Sequence, residues 1–403
     1  MNDSESPHKW IASHVAGLPK SGIRDFFELV MSMDDVISLG VGEPDFDTPW
    51  SIRKATITAL ERGYTSYPSN LGTLELRETV CRYVQTEFGA SYDPKTECLI
   101  TVGVSEGLDL ALRAVLNPGD EVIYHEPCYV SYAPNVIMAH ATPVPVITCA
   151  EDEFALDPEK LRAAITDRTK VLLLNFPNNP TGATLSDRQK LEISKIACEF
   201  DLLVITDEIY AELTYEGNVR TIASYPGMRE RTIFLHGLSK AYAMTGYRIG
   251  HACGPAPLID AMMKIHQYSM LCASLISQEA AVEALQNGRR EMLEMKQQYL
   301  ERRNLVVARL NAMGYSCMCP QGAFYVFPDI SSSGLSSAEF ARRLLEEERV
   351  AVVPGVGFGA CGEGFVRCAY AAAIEDIEIA MTRMAAFASR LKQAVPAEAS
   401  ITA

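Results

Sequence analysis

The sequence predicts an α/β fold, a mainly parallel sheet with helices on both faces, joined to a smaller α+β domain. Three observations carry that prediction. From about residue 97 to 255, short apolar runs alternate with helical patterns, the signature of βαβ units whose strands are covered on both sides. After about residue 286 the alternation gives way to a long charged amphipathic helix and then to short mixed elements. At 403 residues and 48% hydrophobic, the chain can bury one large core with a smaller one beside it.

In chain order, the candidate strands are Cys98 to Val102, Glu121 to His125, Lys170 to Asn175, Leu202 to Asp207 and Thr232 to Leu235. Ser186, with Gln189 three residues on, makes a capping box ahead of a helix over Leu191 to Phe200. Further on come a helix from Arg289 to Met313, a hairpin-like stretch from Gly322 to Pro328, a helix from Ser336 to Glu348 and a strand from Val350 to Val353. Residues 1–47 read as an N-terminal arm packing on the small domain, 48–285 as the large domain and 286–403 as the small one. Both extremes, Met1 to Lys9 and Val395 to Ala403, read as frayed. Gly355-Val-Gly-Phe-Gly359 resembles a dinucleotide fingerprint, but the residues that follow cannot open a helix, so a turn-rich loop is the better account.

Composition narrows the functions. Acidic residues outnumber basic ones, 51 against 36, and a net charge of -15 repels nucleic acid and anionic membrane alike. No apolar run approaches the roughly 20 residues that span a bilayer, and the polar start lacks an apolar signal segment, so the expected location is the cytoplasm. Most of the eleven cysteines sit in apolar stretches (Cys98, Cys198, Cys253, Cys272) and read as buried thiols in a reducing compartment. Cys317-x-Cys319 lacks further ligands at metal-binding spacing, the seven histidines are scattered, and no metal is expected.

Ligands of open α/β sheets bind beyond the carboxyl ends of the strands, and four such ends are polar here. Thr101-Val-Gly-Val-Ser105-Glu-Gly turns through glycine into a helix beginning near Ser105, which suits a phosphate, although a plain N-cap accounts for it equally well. Asn175-Phe-Pro-Asn-Asn179-Pro-Thr-Gly182 forces an irregular loop that presents Asn179; the other reading is a turn capped by its own side chain. Asp207 ends an apolar strand and needs a cation if buried, whereas a solvated strand end would need none. Ser239-Lys240 follows the strand Thr232 to Leu235; a partly desolvated lysine there can form a Schiff base, while an ordinary surface lysine would do nothing. Arg248, eight positions on, could grip a phosphate.

The run Ser239-Lys240-x(4)-Thr-Gly246-x-Arg248-x-Gly250, with Asn179-Pro-Thr-Gly and Asp207-Glu-x-Tyr210 upstream, resembles the class I/II aminotransferases of pyridoxal-5'-phosphate fold type I, aromatic/aspartate-type branch. The likeness extends from Ser21-Gly-Ile-Arg24 through Leu39-Gly-Val-Gly-Glu-Pro-Asp-Phe46 to Glu363-Gly-Phe-Val-Arg367. It implies that 48–285 is the cofactor-binding domain and that Lys240 forms the internal aldimine and moves the proton between substrate Cα and cofactor C4'. Asp207 would keep the pyridine nitrogen protonated, Asn179 and Tyr210 would hydrogen-bond the phenolic oxygen, and Tyr129 would stack on the ring. Val104, Ser105, Ser239 and Arg248 would surround the phosphate. Tyr67 would reach the phosphate of a neighbouring subunit, implying a homodimer with shared sites; packing alone would also explain a tyrosine there. Arg367 and Gly42 would take the substrate α-carboxylate, with Ile23 and Phe324 along the side-chain pocket or simply in the core.

The implied reaction moves the amino group of an L-amino acid to a 2-oxo acid such as 2-oxoglutarate, in a ping-pong cycle. Where some aspartate enzymes of this branch carry a lysine for the distal carboxylate, this chain has Ser105, which favours aromatic or apolar donors; Arg24 could restore the missing charge, so aspartate stays possible. Two other readings stand beside transamination: a β-lyase or related reaction using the same cofactor, and a non-catalytic sensor built on the fold. No basic helix-turn-helix segment accompanies the chain to favour the last.

Overall fold

The computed structural model describes residues 10–18, 30 and 33–394, so the ends expected to fray, together with Ile23 and Arg24, lie outside the described residues. The first strand, β1 (Ile37–Ser38), is followed by two helices, α1 (Trp50–Glu61) and α2 (Leu74–Phe88). The wound core then runs β2 (Cys98–Thr101), α3 (Gly103–Val115), β3 (Glu121–Glu126), α4 (Tyr132–Met138), β4 (Thr142–Ile147), α5 (Pro158–Ala164), β5 (Thr169–Asn175), α6 (Asp187–Glu199), β6 (Leu203–Asp207), β7 (Thr232–Gly237) and β8 (Gly250–Cys253).

These strands make one seven-stranded sheet in the order β2-β8-β7-β6-β5-β3-β4. The five strands β3 to β7 pair in parallel, and β8 runs antiparallel to both β2 and β7. Every residue of β7 is buried, as a strand with helices on both faces requires. The capping box forms as expected: Ser186 accepts from the Gln189 backbone and Gln189 reaches back to Ser186, starting α6 at Asp187, ahead of the expected Leu191.

Beyond the sheet, α7 (Ala256–Ser269) and α8 (Leu275–Asn287) lead into the 25-residue α9 (Arg289–Met313), whose bounds match the expectation. The remaining elements are β9 (Tyr325–Val326), α10 (Ser337–Glu348), β10 (Val350–Ala351), β11 (Val353–Pro354), β12 (Val366–Ala369) and α11 (Ile374–Ala394). Two expectations need correction here. Gly322 to Pro328 is no hairpin: β9 finds its antiparallel partner in β12, far along the chain, and β12 pairs also with β11. Val350 to Val353 is split, because β10 pairs in parallel with β1 while β11 turns to β12. Through that β1–β10 pairing Leu39 enters the same apolar core as Leu310, Phe340, Val352 and Phe387. The loop at Gly355 to Gly359 is made of short 3₁₀ turns. No helix among the described residues is long and apolar enough to cross a membrane. Of the cysteines expected to be buried, Cys98 and Cys253 are, whereas Cys198, in the last turn of α6, and Cys272, in the link between α7 and α8, are only partly covered.

Candidate active site

The parallel strands β5, β6 and β7 all point their carboxyl ends into a cleft of about 610 Å³, closed on its far side by Gly40–Glu43 and by Arg367 from β12. That is where a doubly wound sheet leaves room for a ligand. The cleft brings together Gly42, Val104, Ser105, Tyr129, Asn179, Asp207, Tyr210, Ser239, Lys240, Arg248 and Arg367.

Asp207, the last residue of β6, is 6% exposed. One carboxylate oxygen accepts from the Tyr132 hydroxyl at 2.9 Å and the other from the Ile209 amide at 3.2 Å. Burial pushes its pKa up, and those two hydrogen bonds pull against that shift. Among the described residues it forms no ion pair, so its buried carboxyl group faces the cleft without a cation.

Lys240 sits in the turn after β7, and its ammonium donates to the Gly42 carbonyl at 2.6 Å. Burial lowers its pKa from the ordinary 10.5 to about 8; Glu43 opposes the shift, and the guanidinium groups of Arg367 and Arg248 add to it. The amine is therefore close to the neutral, nucleophilic form near physiological pH.

A second corner of the cleft is shaped for an anion. Gly103 opens α3 at φ +74, and a Cβ placed there would lie 2.9 Å from the Arg248 guanidinium, so the bare backbone is what lets that arginine close in on the helix start. Arg248 itself holds a left-handed backbone at φ +50 and donates to the Thr245 carbonyl at 3.1 Å. Ser105, exposed in the first turn of α3, and the buried Ser239 add hydroxyls to the amide dipoles of the helix end.

Opposite lies Arg367, only 6% exposed. It donates to Asn179 Oδ1 at 2.9 Å and to the Gly40 carbonyl at 2.5 Å, and its guanidinium is sandwiched between the rings of Tyr325 (4.6 Å) and Phe358 (4.8 Å). Its Nε has no hydrogen-bond partner, and no carboxylate pairs with it among the described residues. A buried, unneutralised arginine lining a cleft has the planar fork and the free charge that a carboxylate would pair with.

Two described residues of the expected set do not line this chain's cleft. Tyr67 is 81% exposed and does not line this chain's cleft. Phe324 is fully buried, with its ring 6.0 Å from Lys240 Nζ, and the side chain that faces the cleft from this segment is its neighbour Tyr325, because successive side chains of an extended segment point to opposite sides. Ile23 lies outside the described residues. Two residues escaped the sequence reading: Tyr132, which holds Asp207, and Tyr325, whose hydroxyl meets that of Tyr210 at 2.8 Å. Tyr132 opens α4 three residues beyond Tyr129, close enough in the chain to have been weighed with it; nothing local marks Tyr325.

The donor set fits pyridoxal 5'-phosphate. Asp207 lacks a cation that a protonated ring nitrogen would supply, the Gly103–Arg248 corner is cut for a phosphate, and Lys240 offers an amine without a carboxylate partner.

The chain's similarity to known proteins agrees with this geometry. The family described as aminotransferase class I and II matches residues 34–384. The Bacillus subtilis (strain 168) protein YugH is 50% identical over 94% of this chain and 98% of its own length. The aromatic-amino-acid aminotransferase 2 of Thermococcus litoralis is 44% identical over 90% of this chain and 94% of its own. Among solved structures, the aromatic aminotransferase from Pyrococcus horikoshii OT3 superposes with a TM-score of 0.88 at 44% identity, covering 92% of this chain and 99% of that one.

Proposed function

The chain belongs to the class I and II aminotransferases, and from that premise we propose which of its residues hold the cofactor, which hold the substrate, and which amino acids it takes. It is a pyridoxal-phosphate enzyme that moves an amino group between an amino acid and a 2-oxo acid.

Lys240, Asp207, Tyr210, Asn179, Tyr129, Val104, Ser105, Ser239 and Arg248 hold the cofactor. When bound, it supplies an electron sink for the charge that develops at the substrate's Cα. Lys240 Nζ, poised by burial near its neutral form, takes and returns the proton at that carbon. Asp207, whose ionised form the Tyr132 hydroxyl and the Ile209 amide favour, holds a proton on the ring nitrogen. Arg367 and the open backbone at Gly42 orient the α-carboxylate. The observation that carries this assignment is the convergence, in one cleft, of a carboxylate-free lysine amine, a buried carboxylate without a cation and a buried arginine without an anion. Absorbance tests it: an amino acid added alone should convert the lysine-bound form to the amine form of the cofactor, and no change with any amino acid would overturn it.

The donor is an aromatic or apolar L-amino acid. Among the described residues, the cations lining the cleft are Lys240, Arg248 and Arg367, each already engaged in this scheme, and the position next to Val104 is Ser105 rather than a cation. Relatives carry both aromatic and aspartate names at 44% identity, so aspartate remains the competitor. The acceptor is a 2-oxo acid such as 2-oxoglutarate, for whose distal carboxylate Arg24 is the residue the sequence offers. A donor panel scored by half-reaction absorbance decides; a kcat/KM for aspartate above that for phenylalanine and tyrosine would reverse the choice.

The large cofactor-binding domain spans 48–285, the small one 286–403, and 1–47 joins the latter. The enzyme is a cytoplasmic homodimer. Exposed Tyr67, Tyr268 (87%) and Leu271 supply an aromatic and apolar surface for a second copy, with Tyr67 reaching the other subunit's phosphate. Light scattering reads the mass, and a monomer at full activity would exclude shared sites.

A further inference from the structure

Away from the cleft, at the edge of the large sheet, three cysteine sulfurs lie within 4.8 Å of one another. Cys98 opens β2 and Cys253 closes β8; the two stand directly opposite in the antiparallel pairing of those strands. Cys81 comes down onto them from α2. All three are buried in one apolar core, with Val84, Phe88 and Phe234 among its members.

A cluster of thiols could be inert packing, but a buried cation without an ion-pair partner among the described residues stands beside it. Arg77, one helical turn before Cys81 on α2 and therefore on the same face, is buried. Its guanidinium donates only to neutral carbonyls, those of Gly72, Pro94 and Lys95, and no carboxylate pairs with it among the described residues. Its field reaches Cys98. Tyr92, also in this core, has a buried hydroxyl with no hydrogen-bond partner.

We propose that Cys81, Cys98 and Cys253 form a three-thiolate site for a soft divalent ion of the zinc group, zinc or cadmium, with Arg77 as its counter-charge. The ligand type selects the ion: three sulfurs without a carboxylate or imidazole in the cluster suit a soft, thiophilic d¹⁰ cation and are poor ligands for magnesium or calcium. Charge gives the same answer. A divalent ion displaces one proton from each thiol and leaves a complex of net charge -1, which the Arg77 guanidinium offsets against the fields of Asp93 and Glu97 that also reach Cys81. The ion would pin α2 to the β2–β8 edge, a structural task independent of the amino-group chemistry. The ligands are far apart in the chain and show no local spacing motif, so no pattern along the chain marks them.

The test uses the holoenzyme. It is made in zinc-supplemented medium and desalted without chelator, and in parallel refolded under reductant with one equivalent of cadmium, so that slow entry into a buried site cannot hide binding. One ion retained per chain is expected, with a sulfur-to-cadmium ultraviolet band in the refolded sample. Cys81→Ala and Cys253→Ala should each lose the ion while still binding cofactor, which certifies their fold, and Cys319→Ala, at an exposed thiol, should keep it. Wild-type protein that retains less than a tenth of an equivalent by both routes overturns the site, as does equal retention in Cys81→Ala and Cys253→Ala.

Discussion

Arg367 donates to Asn179 Oδ1 across 2.9 Å, and the two residues come from opposite walls of the cleft, β12 and the loop after β5. The bond couples the residue we assign to the substrate's carboxylate to one we assign to the cofactor's phenolic oxygen. Arg367→Lys keeps the charge but loses the planar fork, and should lower kcat/KM for amino acids about 10- to 100-fold, chiefly through KM, given about 1.5–3 kcal/mol for a charge-assisted hydrogen bond. Cofactor affinity, measured separately, should move far less. Equal losses in both would put the carboxylate role in doubt.

Lys240→Ala should abolish turnover and leave the far-ultraviolet circular dichroism of the protein unchanged. Activity at wild-type level in that variant would remove the central assignment.

The depressed pKa of Lys240 makes a pH prediction. In cofactor-free protein the folded state releases the proton near pH 8, while the unfolded chain holds it up to about 10.5. Between those values the unfolded state binds more protons, so this residue's contribution makes stability rise with pH across that window. The rate at which cofactor-free protein combines with pyridoxal phosphate should likewise climb through about pH 8, as neutral amine accumulates. Stopped-flow absorbance that is flat from pH 7 to 9 would contradict it.

Tyr132→Phe removes a hydroxyl that favours the ionised form of Asp207. The carboxyl pKa, already raised by burial, should rise further, and the acid limb of the kcat/KM profile should move to higher pH. Cofactor affinity should drop by a factor of about 5, for a net hydrogen bond of about 1 kcal/mol. An unmoved acid limb would show that Asp207 does not control it.

Gly103→Ala places a methyl 2.9 Å from the Arg248 guanidinium at a φ of +74. The left-handed backbone alone costs about 1–2 kcal/mol, and the displaced arginine should weaken pyridoxal phosphate binding more than binding of unphosphorylated pyridoxal. A uniform loss for both compounds would argue against a phosphate in that corner.

Much of this was legible before the structure, because each chemical residue hangs on a strand end that periodicity marks. Buried parallel strands such as β6 read as unbroken apolar runs, and Asp207 stands out as the polar residue that closes one. What stayed hidden is instructive. Thr142 to Ile147 carries Pro143 and Pro145, which argue against a strand, yet β4 lies at the sheet edge, where a missing amide donor is tolerated. The pairing of β9 with β12 depends on a contact between distant segments, and no local pattern encodes it. Tyr325 could not be told from Phe324 by composition; only the direction of the backbone decides which ring faces the cleft.

The aromatic sandwich around Arg367 has a consequence for the enzyme's evolvability. With Tyr325 on one face, Phe358 on the other and two fixed acceptors at its edge, that guanidinium has no freedom to swing aside for a different ligand. On the role proposed for Arg367, one end of every substrate is anchored to the same coordinates, and discrimination among side chains has to be written at the other end. The exposed rim residue Val41 can change there without disturbing the anchor. A single scaffold can then diverge in diet by revising its doorway alone.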